Sequence, residues 1–301
     1  PHVPVLLEEA VAALGPREGG VYVDCTVGMG GHAEAILQTA RCRVIGIDRD
    51  KEALEISRRR LAPFAELFTG VHAPFGNLQE VLDSVGVDSV DGVLADVGVS
   101  SLQLDTPGRG FSFRSAGPLD MRMDTSVGRT AADLVNDAPM EDLERWLTEY
   151  GEERFARRIA ARIVQGRPWS DTAALAEAIA EAVPRPGRVA GTRIHPATRS
   201  FQALRIAVND ELGQLERLLE AAVQRLRPGG TLAVITFHSL EDRIVKQFLA
   251  RESGRGLPRD PFGNPIGTPR LSRPFPSVTP SSDDPNPRSR SARLRAASRS
   301  P

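Results

Sequence analysis

Cysteine is scarce in this 301-residue chain, which holds two. Two thiols build neither a disulfide framework nor a four-thiolate zinc site, and no metal is expected. Lysine is equally scarce: Lys51 and Lys246 are the only two among 38 basic residues, so arginine supplies the rest. Long hydrophobic runs are missing. Uninterrupted apolar stretches such as Leu232–Ile235 fall far short of the roughly 18 residues of a membrane span. No basic segment followed by a long apolar one opens the sequence, so neither a signal peptide nor membrane association is predicted. An excess of one charge is also missing, with 38 basic against 39 acidic groups. What is present, 41% hydrophobic and 26% charged residues, suits a sizeable core and excludes wholesale disorder. The composition predicts a soluble, cytoplasmic protein of one large domain or two modest ones.

The near-neutral balance hides local asymmetry. Between Ala182 and Asn209 stand Arg185, Arg188, Arg193, Arg199, Arg205 and His195 with no acid at all. From Arg255 to Pro301 nine arginines face three aspartates. Local basic patches of this kind let a neutral protein bind a polyanion at one face.

The first hundred residues alternate strand-like and helix-like segments. Helices are predicted at Leu6–Leu14, Ala33–Gln38, Lys51–Leu61 and Leu78–Leu82. Strands are predicted at Val21–Cys25, Arg43–Asp48, Leu67–Val71 and Val90–Asp96. Strict alternation implies a parallel sheet with helices on both faces. The pattern breaks at Gln103–Asp124, read as a structured loop, and turns helical from Ala131. One long amphipathic stretch follows, with Phe201, Leu204, Val208, Leu212, Leu215, Leu219, Val223 and Leu226 three or four apart. Pro228-Gly229-Gly230 ends it before a fifth strand, Thr231–Phe237. An all-helical block is therefore inserted into an α/β sheet: residues 1–104 and 205–301 are read as a discontinuous core, and 105–204 as the insert. Past Gly254 the composition resembles a disordered tail, although Ala292, Leu294 and Ala296 alternate with Arg293 and Arg295 as in a half-exposed strand.

The chemistry concentrates at Asp24-Cys25-Thr26-Val27-Gly28-Met29-Gly30-Gly31-His32, where the first strand turns into a helix. Glycines there let the backbone approach a ligand. Asp48, ending the second strand, is placed to accept from a ribose diol. The spacing Gly28-x-Gly30-x-x-Ala33 also fits a dinucleotide fingerprint, and a plain tight turn is the bland alternative. Asp24 argues against phosphate, because an acid facing the loop repels it. A ligand with an amino group and a sulfonium, S-adenosylmethionine, suits that acid better than NAD.

Further stretches carry a resemblance. They are His2–Leu7 (HVPVLL), Asp96–Ser101 (DVGVSS) with Gln103, Arg109–Phe113 (RGFSF), Gly117–Asp124 (GPLDMRMD), His195–Ala203 (HPATRSFQA) and Phe237–Arg243 (FHSLEDR), with a fainter echo at Asn286–Ser291. In these the chain resembles the MraW family of bacterial 16S ribosomal RNA methyltransferases. The resemblance implies a class I, Rossmann-like S-adenosylmethionine-dependent fold with an inserted, mainly helical substrate-recognition domain. It further implies methyl transfer to N4 of a decoding-centre cytidine, position 1402 in the usual rRNA numbering, within the 30S subunit. Its cofactor contacts carry over to Gly30, Gly31, His32, Asp48, Phe75, Asp96 and Gln103, and S-adenosylhomocysteine would be the product. The family's closing stretch belongs to the core, so 289–297 is expected to form a last strand.

A cytosine amine is a poor nucleophile because its lone pair is delocalised into the ring. Acceptors aimed at its N–H bonds would localise that pair. By position the candidates are Asp96 and Ser100 or Ser101, with Asp120 and Asp124 behind them. The Asp-Pro-Pro-aromatic motif of many DNA amino-methyltransferases is absent, and neither Cys25 nor Cys42 suits the nucleophile that C5 methylation needs. Arg109, Arg114 and Arg122 are candidates to face a phosphate backbone, as are Arg193 and Arg199 of the acid-free stretch. Arg154, Arg157, Arg158 and Arg162 read as a solvated helix face.

Overall fold

The computed structural model describes residues 4–184, 195–258, 260–263, 266–272, 274–281 and 289–301. In chain order its regular elements are α1 (Leu7–Leu14), β1 (Val21–Asp24), α2 (Gly31–Thr39), β2 (Arg43–Asp48), α3 (Lys51–Arg60), β3 (Phe68–His72), α4 (Leu78–Ser84) and β4 (Val90–Asp96). Six helices follow: α5 (Ser101–Asp105), α6 (Ala131–Asp137), α7 (Met140–Glu149), α8 (Ala156–Gln165), α9 (Thr172–Ala182) and α10 (Ala197–Asn209). The last elements are α11 (Glu211–Arg225), β5 (Leu226–Thr236), α12 (Ser239–Glu252) and β6 (Arg293–Ser298). By its contacts the chain divides into two compact units, Pro1–Gly98 with Leu212–Pro301, and Val99–Glu211.

The first unit is built on one six-stranded sheet in the order β3-β2-β1-β4-β5-β6. The first five strands run parallel and β6 runs antiparallel to β5. This is the Rossmann-like class expected. Near-continuous apolar sequence in β1, β2, β4 and β5 is what a parallel sheet covered on both faces requires. Alternate residues feed two separate cores. Val23, Ile45, Val93 and Val234 pack with Leu78, Leu219 and Phe248 on one side. Val44, Leu94 and Ile235 pack with Leu14, Ile36 and Leu54 on the other. The registers Val23↔Ile45, Val23↔Val93 and Val93↔Leu232 align the strands' carboxyl ends along one edge.

The C-terminal strand is real. Its alternation buries Leu294 and Ala296, at 2% and 3% exposure, against β5. Two expectations need correction. The stretch from Phe201 to Leu226 is not one helix but α10 and α11, separated by Asp210 in the left-handed region at φ 49°. The cause lies in Asn209, whose amide donates to Met121 O at 2.7 Å and accepts from Met123 N–H at 2.9 Å. Periodicity alone does not reveal that capture. Strand β5 also starts five residues early, at Leu226, through an irregular pairing between Val90 and Gly92.

The second unit is helical, around Leu143, Leu147, Ile159, Ile163, Leu175, Ile179, Phe201 and Leu204. The GPLDMRMD stretch contributes Leu119 and Met121 to that core, and Met123 is buried as well.

Candidate functional site

Three neighbouring strands each end in an aspartate: β2 in Asp48, β1 in Asp24 and β4 in Asp96. The carboxyl edge of a parallel sheet, where the strand order reverses, is where such folds hold ligands. Each acid sits differently.

Asp24 is fully buried. Its Oδ1 accepts from Thr26 N–H at 3.2 Å, whereas Oδ2 has no hydrogen-bond partner. Burial pushes the carboxyl up to about 7, and the nearby Asp48 adds to the rise. Thr26 and the Ala33 N–H in the first turn of α2 work in the opposite direction.

Asp48 is the clasp of the glycine loop. Its Oδ2 accepts from Gly28 N–H and its Oδ1 from Asp50 N–H, both at 2.8 Å. Burial raises it to about 6 despite those bonds. Asp96 N–H donates to Thr26 Oγ1 at 2.6 Å, tying the end of β4 to the loop after β1. About a fifth of the Asp96 side chain is accessible, but Oδ1 is sealed from solvent and has no partner. Desolvation there, reinforced by Asp24 and then Glu241, holds this carboxyl well above the ordinary range.

The loop's glycines have separate steric reasons. Gly30 caps α2 in the left-handed conformation at φ 84°. A Cβ on Gly31 would lie 2.3 Å from Pro4 Cγ, so the segment before α1 lies directly on the loop. His32 fastens the same segment: its Nε2 is 3.1 Å from Val5 O, and its Nδ1 is 3.9 Å from Asp96 Oδ2. Phe75 opens a short turn after β3 and packs partly buried against one face of the sheet core. The next residue, Gly76, donates to Gln214 Oε1 at 3.0 Å.

In the second unit the predicted residues are mostly engaged with their own backbone. Ser100 and Gln103 form a capping box on α5: Ser100 Oγ accepts from Gln103 N–H, and Gln103 Oε1 accepts from Ser100 N–H. Ser101 is the first residue of that helix. Asp120 holds Arg122 in a bidentate ion pair at 2.9 and 2.8 Å, which, against the opposing effect of burial, lowers its pKa. Asp124 closes a turn onto Ser126. Arg109 departs from the surface role expected for it. It is 9% exposed and donates to Arg122 O and Met123 O at 3.2 and 2.9 Å, so this guanidinium clamps the protein's own loop. Arg199 reaches Glu152 O at 3.3 Å from an exposed position. Arg193 lies outside the described residues, as do Arg185 and Arg188.

Sequence reasoning missed Thr26 and Glu241. Glu241 is 2% exposed, and its Oε2 accepts from Phe237 and His238 N–H at 2.9 and 3.3 Å. The signal was a glutamate at the third helical position of α12, the position of a capping carboxylate.

The chemistry of the edge is that of a cation pocket. Carboxyls raised by burial, two of them with an unpartnered oxygen, gain from a positive group and repel a pyrophosphate. A primary ammonium or sulfonium therefore fits, and the dinucleotide alternative for the loop does not.

The chain is similar to proteins named Ribosomal RNA small subunit methyltransferase H. The one from Paramagnetospirillum magneticum is 50% identical, with 99% of this chain and 96% of that protein covered. The one from Geobacter sulfurreducens is 53% identical over 98% of each. The one from Carboxydothermus hydrogenoformans is 54% identical over 83% of this chain and 81% of its own. A family model described as the MraW methylase family matches residues 1–300, and the chain belongs to that family.

Proposed function

We propose that this enzyme transfers the methyl group of S-adenosylmethionine to N4 of a cytidine in 16S ribosomal RNA, position 1402 in the usual numbering, within the cytoplasmic 30S subunit. The carrying observation is the row Asp48, Asp24, Asp96 at the carboxyl ends of adjacent strands, in a chain whose full-length relatives are named as small-subunit rRNA methyltransferases. Bound there, the cofactor supplies an electrophilic methyl on a sulfonium. Asp24 holds the cationic end, Asp48 and the loop Gly28–Gly31 take the ribose side, and Phe75 walls the base. Gln103 steadies the loop after β4. Asp96 is the acceptor for the substrate amine: its Oδ1 takes the N–H bond and then the proton that leaves as the new C–N bond forms. Asp120, in an ion pair with Arg122, and Asp124, in a turn with Ser126, stand behind Asp96 in this reading, as does Ser101 at the start of α5.

The target base must leave its stack to reach a buried methyl donor. Arg199 on α10, with Arg193, supplies phosphate contacts from the helical unit. The test is transfer of tritium from labelled S-adenosylmethionine to 30S subunits lacking the modification, followed by nucleoside analysis. Label in N4-methylcytidine is the expected result. Label elsewhere, or none despite tight S-adenosylhomocysteine binding, would remove the substrate assignment.

A further inference from the structure

Strand β6 runs antiparallel to β5, so its first residue, Arg293, pairs with Thr236 at the end of β5. The same register sets Leu294 opposite Ile235, and Ile235 is in turn the partner of Asp96. Arg293 therefore enters at the carboxyl edge of the sheet, two strands away from Asp96. With roughly 4.8 Å between strands that separation is about 10 Å, a length that one nucleotide spans from base to phosphate.

The pleat places both arginines of β6 on one face, since Leu294 and Ala296 are buried on the other. The two are unequal. Arg295 is engaged with Asp242, its Nε and Nη2 donating at 2.7 and 3.0 Å, and its side chain is only 16% exposed. Arg293 holds its Nε 3.8 Å from the same carboxylate, beyond hydrogen-bond distance, and is 42% exposed. Among the described residues its guanidinium has no hydrogen-bond partner. Lys246 stands exposed one helical turn beyond Asp242 on α12, near enough to act on the same carboxylate. Arg290 is exposed on the short turn that leads into β6. Three cations, Arg293, Arg295 and Lys246, thus share the one carboxylate of Asp242, and the surplus is positive.

We propose that Arg293, flanked by Lys246 and Arg290, is a phosphate-binding site on the sheet unit that takes the RNA backbone next to the nucleotide whose base reaches Asp96. This rests on the proposed RNA substrate and on Asp96 as the place of its amine. An arginine fork matches two phosphate oxygens at once. Because Arg295 already satisfies Asp242, turning Arg293 toward a phosphate breaks no hydrogen bond of the protein. Base and phosphate of one nucleotide are then fixed by neighbouring strands of one sheet, which is the orientation that a weak nucleophile needs.

The test compares Arg293→Ala, Arg293→Lys and Arg41→Ala in binding to 30S subunits lacking the modification, across a series of salt concentrations. Arg41 is the control, exposed just before β2 at the opposite, amino edge of the sheet. Arg293→Ala should lower affinity about tenfold at low salt and reduce the slope of log affinity against log salt by about one. KM for 30S subunits should rise in step, with kcat within about twofold of wild type. S-adenosylhomocysteine affinity and Tm should stay at their wild-type values. Arg293→Lys should keep the slope, and Arg41→Ala should match wild type throughout. Wild-type affinity and slope in Arg293→Ala would overturn the proposal. A loss shared by Arg293→Ala and Arg293→Lys, with a lower Tm in both, would overturn it too, leaving Arg293 a support of Asp242. An equal loss in Arg41→Ala would overturn it in favour of charge spread over the whole surface. Wild-type protein that neither binds 30S subunits nor labels their RNA would reject the substrate reading and this site with it, whereas binding by wild type that Arg293→Ala equals rejects the site alone.

Discussion

The Gly28 N–H donates to Asp48 Oδ2 at 2.8 Å across twenty residues of chain, so the end of β2 shapes the loop that follows β1. Asp48→Asn turns one acceptor into a donor and sets it against one of the two N–H groups the carboxylate now receives, from Gly28 and Asp50. Losing charge-assisted bonds of this kind costs about 1.5–3 kcal/mol each. We expect S-adenosylhomocysteine affinity to fall on the order of 10- to 100-fold, read by titration calorimetry. Unchanged affinity would mean that the loop keeps its shape without Asp48.

Asp24 should trade stability for binding. Its pKa in the folded protein, about 7, lies above the ordinary carboxylate value. Folding thus favours the neutral form, and the penalty grows as pH rises from about 4 to about 7. Asp24→Asn should therefore stabilise the cofactor-free protein by on the order of 3 kcal/mol at pH 8 and clearly less at pH 5. Its affinity for S-adenosylmethionine should drop. Thermal denaturation at the two pH values checks the sign, and equal gains would contradict it.

Ligand binding should release protons. A positive group beside Asp24, Asp48 and Asp96 lowers pKa values that burial has raised. At pH 6.5, calorimetry in buffers of different ionisation enthalpy should show net release, greater for S-adenosylmethionine than for S-adenosylhomocysteine, which lacks the sulfonium. Affinity should rise with pH up to about 7 and then level. Proton uptake would count against a cation pocket.

Two arginines named for RNA should behave oppositely. Arg109→Lys loses the fork that spans Arg122 O and Met123 O, and a lysine does not replace such a fork. It should cost about 1.5–3 kcal/mol and increase hydrogen exchange around 121–123, leaving the salt dependence of RNA binding unaltered. Arg199→Ala should leave Tm nearly unchanged and reduce the slope of log affinity against log salt by about one. Exchanged outcomes would reverse both assignments.

The sheet was legible because its strands are apolar on both faces and each is followed by a helix, so β1, β2 and β4 emerge within a residue of their predicted ends. Asp48 and Asp96 were legible for the same reason: a strand's last residue marks the edge, whereas Asp24, one short of the expected end of its strand, stood out only as an acid facing the glycine loop. Contacts made by backbone were not. Nothing in the periodicity of 201–226 announces that Asn209 will reach back to Met121 and Met123. Arg109 looks like any loop cation until its carbonyl partners, thirteen and fourteen residues on, are brought to it. Pro4 on Gly31 is likewise invisible at a distance of 27 residues.

The sheet is interrupted between β4 and β5 by a helical unit that is itself one unbroken length of chain, Val99–Glu211. During synthesis that length leaves the ribosome whole before β5 exists, so it can close around its own core first. Strands β1 to β4 meanwhile hold an unpaired edge at β4 until Leu226–Thr236 arrives, and β5 holds one until Arg293–Ser298 arrives. The sheet is therefore whole only once chain made after the helical unit has joined it.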